Sequence, residues 1–89
     1  MVQKKLLVNN KLGLHARAAV KFVNLANRFS ARVKILKDGA EIDGKSILGI
    51  LTLAATRGTA ITLKVVGRDE GEALEALARL IKDKFEEKE

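Results

Sequence analysis

The chain has 89 residues, a formal net charge of +6, one histidine and no cysteine or proline. This length supports one compact domain, residues 1–89, with one hydrophobic core but no room for a deep, walled active site. Without cysteine there are no disulfides, thiolate nucleophiles or cysteine zinc sites, and one histidine alone argues against a transition-metal site. The N-terminus lacks the long apolar run of a signal peptide, and no apolar stretch reaches membrane-spanning length. These features predict a soluble, cytoplasmic protein with no membrane insertion.

The charge is unevenly spread. Residues 1–68 carry 13 Lys/Arg against three acidic residues, a formal +10, whereas residues 69–89 carry eight acids against four bases. A basic body predicts an acidic partner surface. There are three Phe and no Tyr or Trp, and all three Phe fall at positions that suit a core. A single-strand stacking platform is therefore missing, and nucleic acid is not the expected partner.

In chain order, Gln3–Val8 alternates as a strand, with Leu6 and Val8 on one face. Asn9–Leu14 reads as a loop around Gly13. Ala16–Asn27 is helical, with Ala19, Phe22, Val23 and Ala26 on one stripe. Ala31–Leu36 alternates again, Asp38-Gly39 supplies a two-residue hairpin turn, and Ala40–Ile42 returns antiparallel. Ser46 is placed to cap a helix from Ile47 to about Thr56, with Gly58 as its stop. Ala60–Val66 is a strand pointing Ile61, Leu63 and Val65 inward. Asp69-Glu70-Gly71-Glu72 has the form of a capping box, with Asp69 as cap, for a last helix ending near Phe85 and burying Leu74, Leu77 and Ile81.

The order β-α-β-β-α-β-α predicts an α+β fold: a two-layer open-faced sandwich with helices on one face of a four-stranded sheet. The bare face would carry Lys5, Arg32, Lys34, Thr62 and Lys64 to solvent.

The chemically informative segment is Asn10-Lys11-Leu12-Gly13-Leu14-His15-Ala16-Arg17-Ala18-Ala19. It puts His15 at the first turn of a helix, where free N–H groups and the positive end of the helix dipole favour an anion. Arg17 adds a planar fork of donors. Lys11 and Lys21 add positive potential. A phosphoryl group on the ring would be held by these features. No neighbouring acid, metal ligand or nucleotide loop equips the site for independent turnover, so it reads as an acceptor rather than an enzyme, with no cofactor and no metal.

The stretch Gly13-Leu14-His15-Ala16-Arg17-Ala18-Ala19 resembles the phosphorylation-site motif of the histidine-containing phosphocarrier (HPr) family of the bacterial sugar phosphotransferase system. Gly44-Lys45-Ser46-Ile47-Leu48-Gly49-Ile50-Leu51 is similar to that family's second signature, around a regulatory serine. The resemblance implies a four-stranded antiparallel sheet covered by three helices. It implies that enzyme I phosphorylates Nδ1 of His15, that Arg17 helps hold the group, and that enzyme IIA proteins receive it. It further implies phosphorylation of Ser46 by an HPr kinase/phosphorylase and binding to a transcriptional regulator. Ala18 stands where the family usually has proline, which suits a first helical turn; the departure should cost some preorganisation.

The helix after Ser46 is apolar on more than one side. Ile47, Leu48 and Leu51 are candidates for an exposed docking patch, rimmed by Lys21, Lys45 and Arg57. Two other readings stay open at this point. Asn10-Lys11-Leu12-Gly13 and Leu53-Ala54-Ala55-Thr56-Arg57-Gly58 resemble the nitrogen-related branch of the same system, and HPr-like proteins also include purely regulatory binding modules. No strong self-association surface stands out, so a monomer is expected.

Overall fold

The computed structural model describes residues 1–86. Its elements are β1 (Val2–Leu7), α1 (Ala16–Ala26), β2 (Arg32–Lys37), β3 (Ala40–Asp43), α2 (Ile47–Leu53), β4 (Ala60–Val66) and α3 (Glu70–Lys82), followed by a short turn at Lys84–Glu86. The strands form one sheet in the order β1-β4-β2-β3, every neighbouring pair antiparallel. The expected α+β open-faced sandwich is thus the observed architecture.

Each element follows from its residue pattern. Alternation on the strands sends Leu6, Val33, Ile35, Ile61, Leu63 and Val65 into the core, while α1 adds Ala18, Ala19, Phe22, Val23 and Ala26. Helix α3 packs on β1 and β4, α2 packs on β3, and α1 lies against both helices. Asp38 and Gly39 both take positive φ (50° and 84°), the conformation a two-residue hairpin needs to match strand twist.

Strand and α1 ends fall within a residue of expectation, whereas two helix ends differ by more. Helix α2 stops at Leu53 rather than near Thr56, because Ala54 turns left-handed (φ 50°, ψ 39°). The Leu53 carbonyl is taken by Lys37 Nζ at 2.9 Å, a cation on a helix C-terminus. Gly58 (φ 88°) serves the following turn instead and donates its N–H to the Val8 carbonyl at 2.7 Å. Helix α3 stops at Lys82; Lys84, Phe85 and Glu86 all have positive φ, and this turn buries Phe85 completely.

Asp69 occupies the N-cap position of α3 but makes no capping bond. Its carboxylate instead accepts from the N–H groups of Ser30 and Ala31, both at 2.9 Å, and from Ser30 Oγ at 3.3 Å. Glu70, rather than Glu72, reaches back to accept from Gly67 N–H at 3.1 Å. Two backbone donors at the entrance to β2 outcompete the local cap. Leu74 is only partly buried.

The Ser30 N–H, with help from Ala31, holds the Asp69 carboxyl below its ordinary value. A depressed carboxyl stabilises the fold above its unfolded value, near 3.9, and that stabilisation disappears as pH falls through the lower folded value. We expect the thermal midpoint to drop on acidification below about pH 4, and Asp69→Asn to flatten that drop while lowering the midpoint at neutral pH. Thermal unfolding followed by circular dichroism across pH measures both.

Candidate phosphoryl-acceptor site

The site is built where the loop after β1 meets the end of α2. Asn10 is fully buried, and its Nδ2 donates to the Gly13 carbonyl at 2.7 Å. Gly13 has φ 66°, and a Cβ there would lie 2.5 Å from the Ala55 carbonyl oxygen and 2.9 Å from Thr56 Cα. Only glycine permits this approach of two backbones. The next residue uses it: Leu14 N–H donates to the Ala55 carbonyl at 2.9 Å. Loop and helix end are thereby locked together directly before His15.

His15 is the N-cap of α1, half-buried, with extended backbone (φ −83°, ψ 177°). Its carbonyl accepts from Ala19 N–H at 2.9 Å, closing the first turn. No side chain caps this helix, and no acidic residue lies in its first turn. The N–H groups of Ala16, Arg17 and Ala18 therefore lack intrahelical acceptors, and among the described residues no other group takes them. Arg17 and Lys11 are both exposed on the segments flanking His15. The arrangement combines a ring nucleophile, a positive helix end and a guanidinium, which suits it to carry a dianionic group.

Ala18, the position where the family usually carries proline, is fully buried. The first turn forms with alanine there, a good helix former.

Ser46 caps α2 as expected, its Oγ accepting from Gly49 N–H at 3.0 Å. Ile47, Leu48 and Leu51 project outward while Ile50 and Leu53 are buried; Leu48 is 75% exposed. Leu12 on the loop and Val20 on α1 also stand in solvent; their local patterns carried no signal of exposure. The two rim lysines are engaged with the chain itself. Lys21 Nζ donates to the Phe85 carbonyl and Lys45 Nζ to the Phe29 carbonyl, each at 2.7 Å. Arg57 is exposed. Asn10 is a positioning residue whose role sequence reasoning missed, having read it only as part of the Asn9–Leu14 loop.

A small open-faced sandwich with an uncapped histidine-headed helix defines a phosphocarrier-type domain. The family model for the PTS HPr component phosphorylation site matches residues 2–83, and the chain belongs to the HPr family. It is 46% identical to the phosphocarrier protein HPr of Cupriavidus necator over 89 residues, covering 100% of both chains. It is 48% identical to the HPr-like protein Crh of Bacillus subtilis over 83 residues, covering 93% of this chain and 98% of Crh. The crystal structure of an HPr from Thermoanaerobacter tengcongensis superimposes with a TM-score of 0.96 at 40% identity, covering 100% of both chains. The protein is accordingly a phosphocarrier of the phosphotransferase system and works with that system's proteins, as a carrier rather than an enzyme. No helix among the described residues is long and apolar enough to cross a membrane.

Two substitutions test how the site is built. Gly13→Ala must push two backbones apart and should destabilise the fold by about 2 kcal/mol or more. Ala54→Gly removes the left-handed strain at the end of α2 and should stabilise by about 0.5–1 kcal/mol. Urea denaturation of the two variants measures both.

Proposed function

We propose that His15 is the phosphoryl acceptor, taking the group on Nδ1 from phosphorylated enzyme I and passing it to enzyme IIA proteins in sugar uptake. The Nδ1 lone pair forms a bond to phosphorus as the donor's bond to phosphorus breaks, and the reverse exchange delivers the group onward. The observation that carries this reading is the uncapped first turn of α1, whose N–H groups at 16–18 stand beside His15 and Arg17. Arg17 stabilises the transferring group by charge-assisted hydrogen bonds. Ile47, Leu48 and Leu51 form the apolar centre of the docking surface, and Lys21 and Lys45 contribute positive potential while holding their carbonyls.

Residues 1–89 act as one domain, in the cytoplasm, and as a monomer during transfer. One Thermoanaerobacter tengcongensis HPr structure is of a dimer, so sedimentation of the free protein decides the last point.

Ser46 is the proposed regulatory site, modified by an HPr kinase/phosphorylase and read by a transcriptional regulator. Its support is the match of Lys45-Ser46-Ile47-Leu48 to the family's serine signature and the likeness to Crh. Crh is described by its solution structure as the catabolite repression HPr of Bacillus subtilis, which favours a second reading, a purely regulatory module; retention of His15 and Arg17 speaks for carriage as well.

Incubation with enzyme I, Mg²⁺ and phosphoenolpyruvate should place one acid-labile, base-stable phosphate on the protein. His15→Ala should abolish it, and persistent labelling would remove His15 from the mechanism. Arg17→Ala should slow transfer with the fold intact. Ser46→Ala should cost about 1 kcal/mol through the lost cap and should eliminate the acid-stable phosphate formed with HPr kinase and ATP.

A further inference from the structure

The bare face of the sheet lies outside the proposed phosphoryl-transfer chemistry, and its charges are arranged against simple electrostatic expectation. The register sets Lys64 of β4 directly opposite Lys34 of β2. Arg32 lies two residues before Lys34 on the same face, opposite Val66, and Lys5 of β1 lies opposite Thr62. Like charges directly opposite one another destabilise a sheet. Lysines that guard an edge strand against aggregation are a familiar device, but β2 and β4 are the two interior strands of this sheet. Among the described residues, no ion pair or hydrogen bond engages the side chains of Lys5, Arg32, Lys34 or Lys64.

Two acids share the face, both on the far edge strand β3. Asp43, opposite Lys34, spends a carboxylate oxygen on Lys45 N–H at 2.9 Å. Glu41, opposite Leu36, joins Arg32, Lys34, Lys64 and Val66 around a shallow hollow of about 220 Å³. The positive charge is thus central and the acids mark one border. Exposed Leu7 and Val66 add aliphatic surface among the bases.

We propose that this bare face is a second docking surface, separate from the His15 side, and that it takes the acidic surface of a protein partner. Charge complementarity is the main argument: carboxylates inserted between Lys34, Lys64 and Arg32 would relieve a repulsion that the fold otherwise carries. Carboxylates set among apolar side chains also match the mixture of bases and aliphatics here. Nucleic acid fits poorly, because Phe22 and Phe85 are buried and Phe29 packs against the core, which leaves no aromatic platform on the sheet. An anionic bilayer fits poorly too, since Glu41 and Asp43 border the bases and no amphipathic helix lies on this face to insert.

The test is amide shift mapping of the ¹⁵N-labelled protein titrated with an octaglutamate peptide, with single-stranded DNA and phosphatidylserine vesicles as parallel arms at equal salt. The proposal expects peptide-induced shifts at Lys5, Arg32, Lys34, Thr62 and Lys64, and tighter binding of the peptide than of either other polyanion. Lys34→Glu/Lys64→Glu should weaken peptide binding by about tenfold or more. Lys34→Gln/Lys64→Gln should weaken it less, with both variants showing cooperative thermal unfolding. Shifts centred on Lys11 and Arg17, no shifts on the sheet at low salt, unchanged affinity in either folded variant, or preference for DNA or vesicles would each overturn it.

Discussion

Leu14 N–H reaches the Ala55 carbonyl at 2.9 Å, and the site is organised around that bond. It joins a loop that leaves β1 to the chain that leaves α2, two segments with no local reason to meet. Gly13 makes the approach possible because a side chain there would collide with the backbone of Ala55 and Thr56. Asn10 fixes the loop from inside the core through the Gly13 carbonyl. The strained Ala54 turns the chain out of α2 so that Ala55 is buried and its carbonyl available. A single backbone bond therefore sets where α1 begins, and with it the position of His15.

In the proposed mechanism, helix α1 draws its chemistry from a missing cap. Most helices satisfy their first N–H groups with a Ser, Thr, Asp or Asn cap. Helix α2 does so with Ser46, while α1 carries histidine at the same position and has no capping side chain. A helix start left uncapped forgoes about 1 kcal/mol of stability. In return it offers a group of preorganised donors next to a ring that can bear a phosphoryl group. The same domain therefore holds one helix start capped by a side chain and another without such a cap, the one assigned to chemistry in the proposed function.

The fold class and the span of β4 were legible because they rest on local periodicity and turn chemistry; Asp38-Gly39 announces its hairpin in two residues. Two motifs in register singled out His15, Arg17 and Ser46, and the structure places His15 and Ser46 at the N-caps of α1 and α2. Several of the features that escaped a sequence reading depend on the tertiary fold. Asp69 abandons its own helix for Ser30 and Ala31, about 38 residues away in sequence. Lys21 turns from the expected rim to a carbonyl 64 residues on. Asn10 looks like an ordinary loop residue until the fold buries it. Tertiary packing supplies the partners of Asp69 and Lys21 and the burial of Asn10, which hydrophobic pattern and helix propensity do not encode.

The central claim is that the N–H groups at the head of α1 and the Arg17 guanidinium hold a phosphoryl group on His15. Comparing ¹H–¹⁵N spectra before and after phosphorylation by enzyme I tests it most directly. The account predicts large downfield amide shifts at Ala16, Arg17 and Ala18 and at the Arg17 side chain, with the capped turn at Ile47–Gly49 unmoved. Amides at 16–18 that stay in place while the phosphate is present on the protein would contradict it.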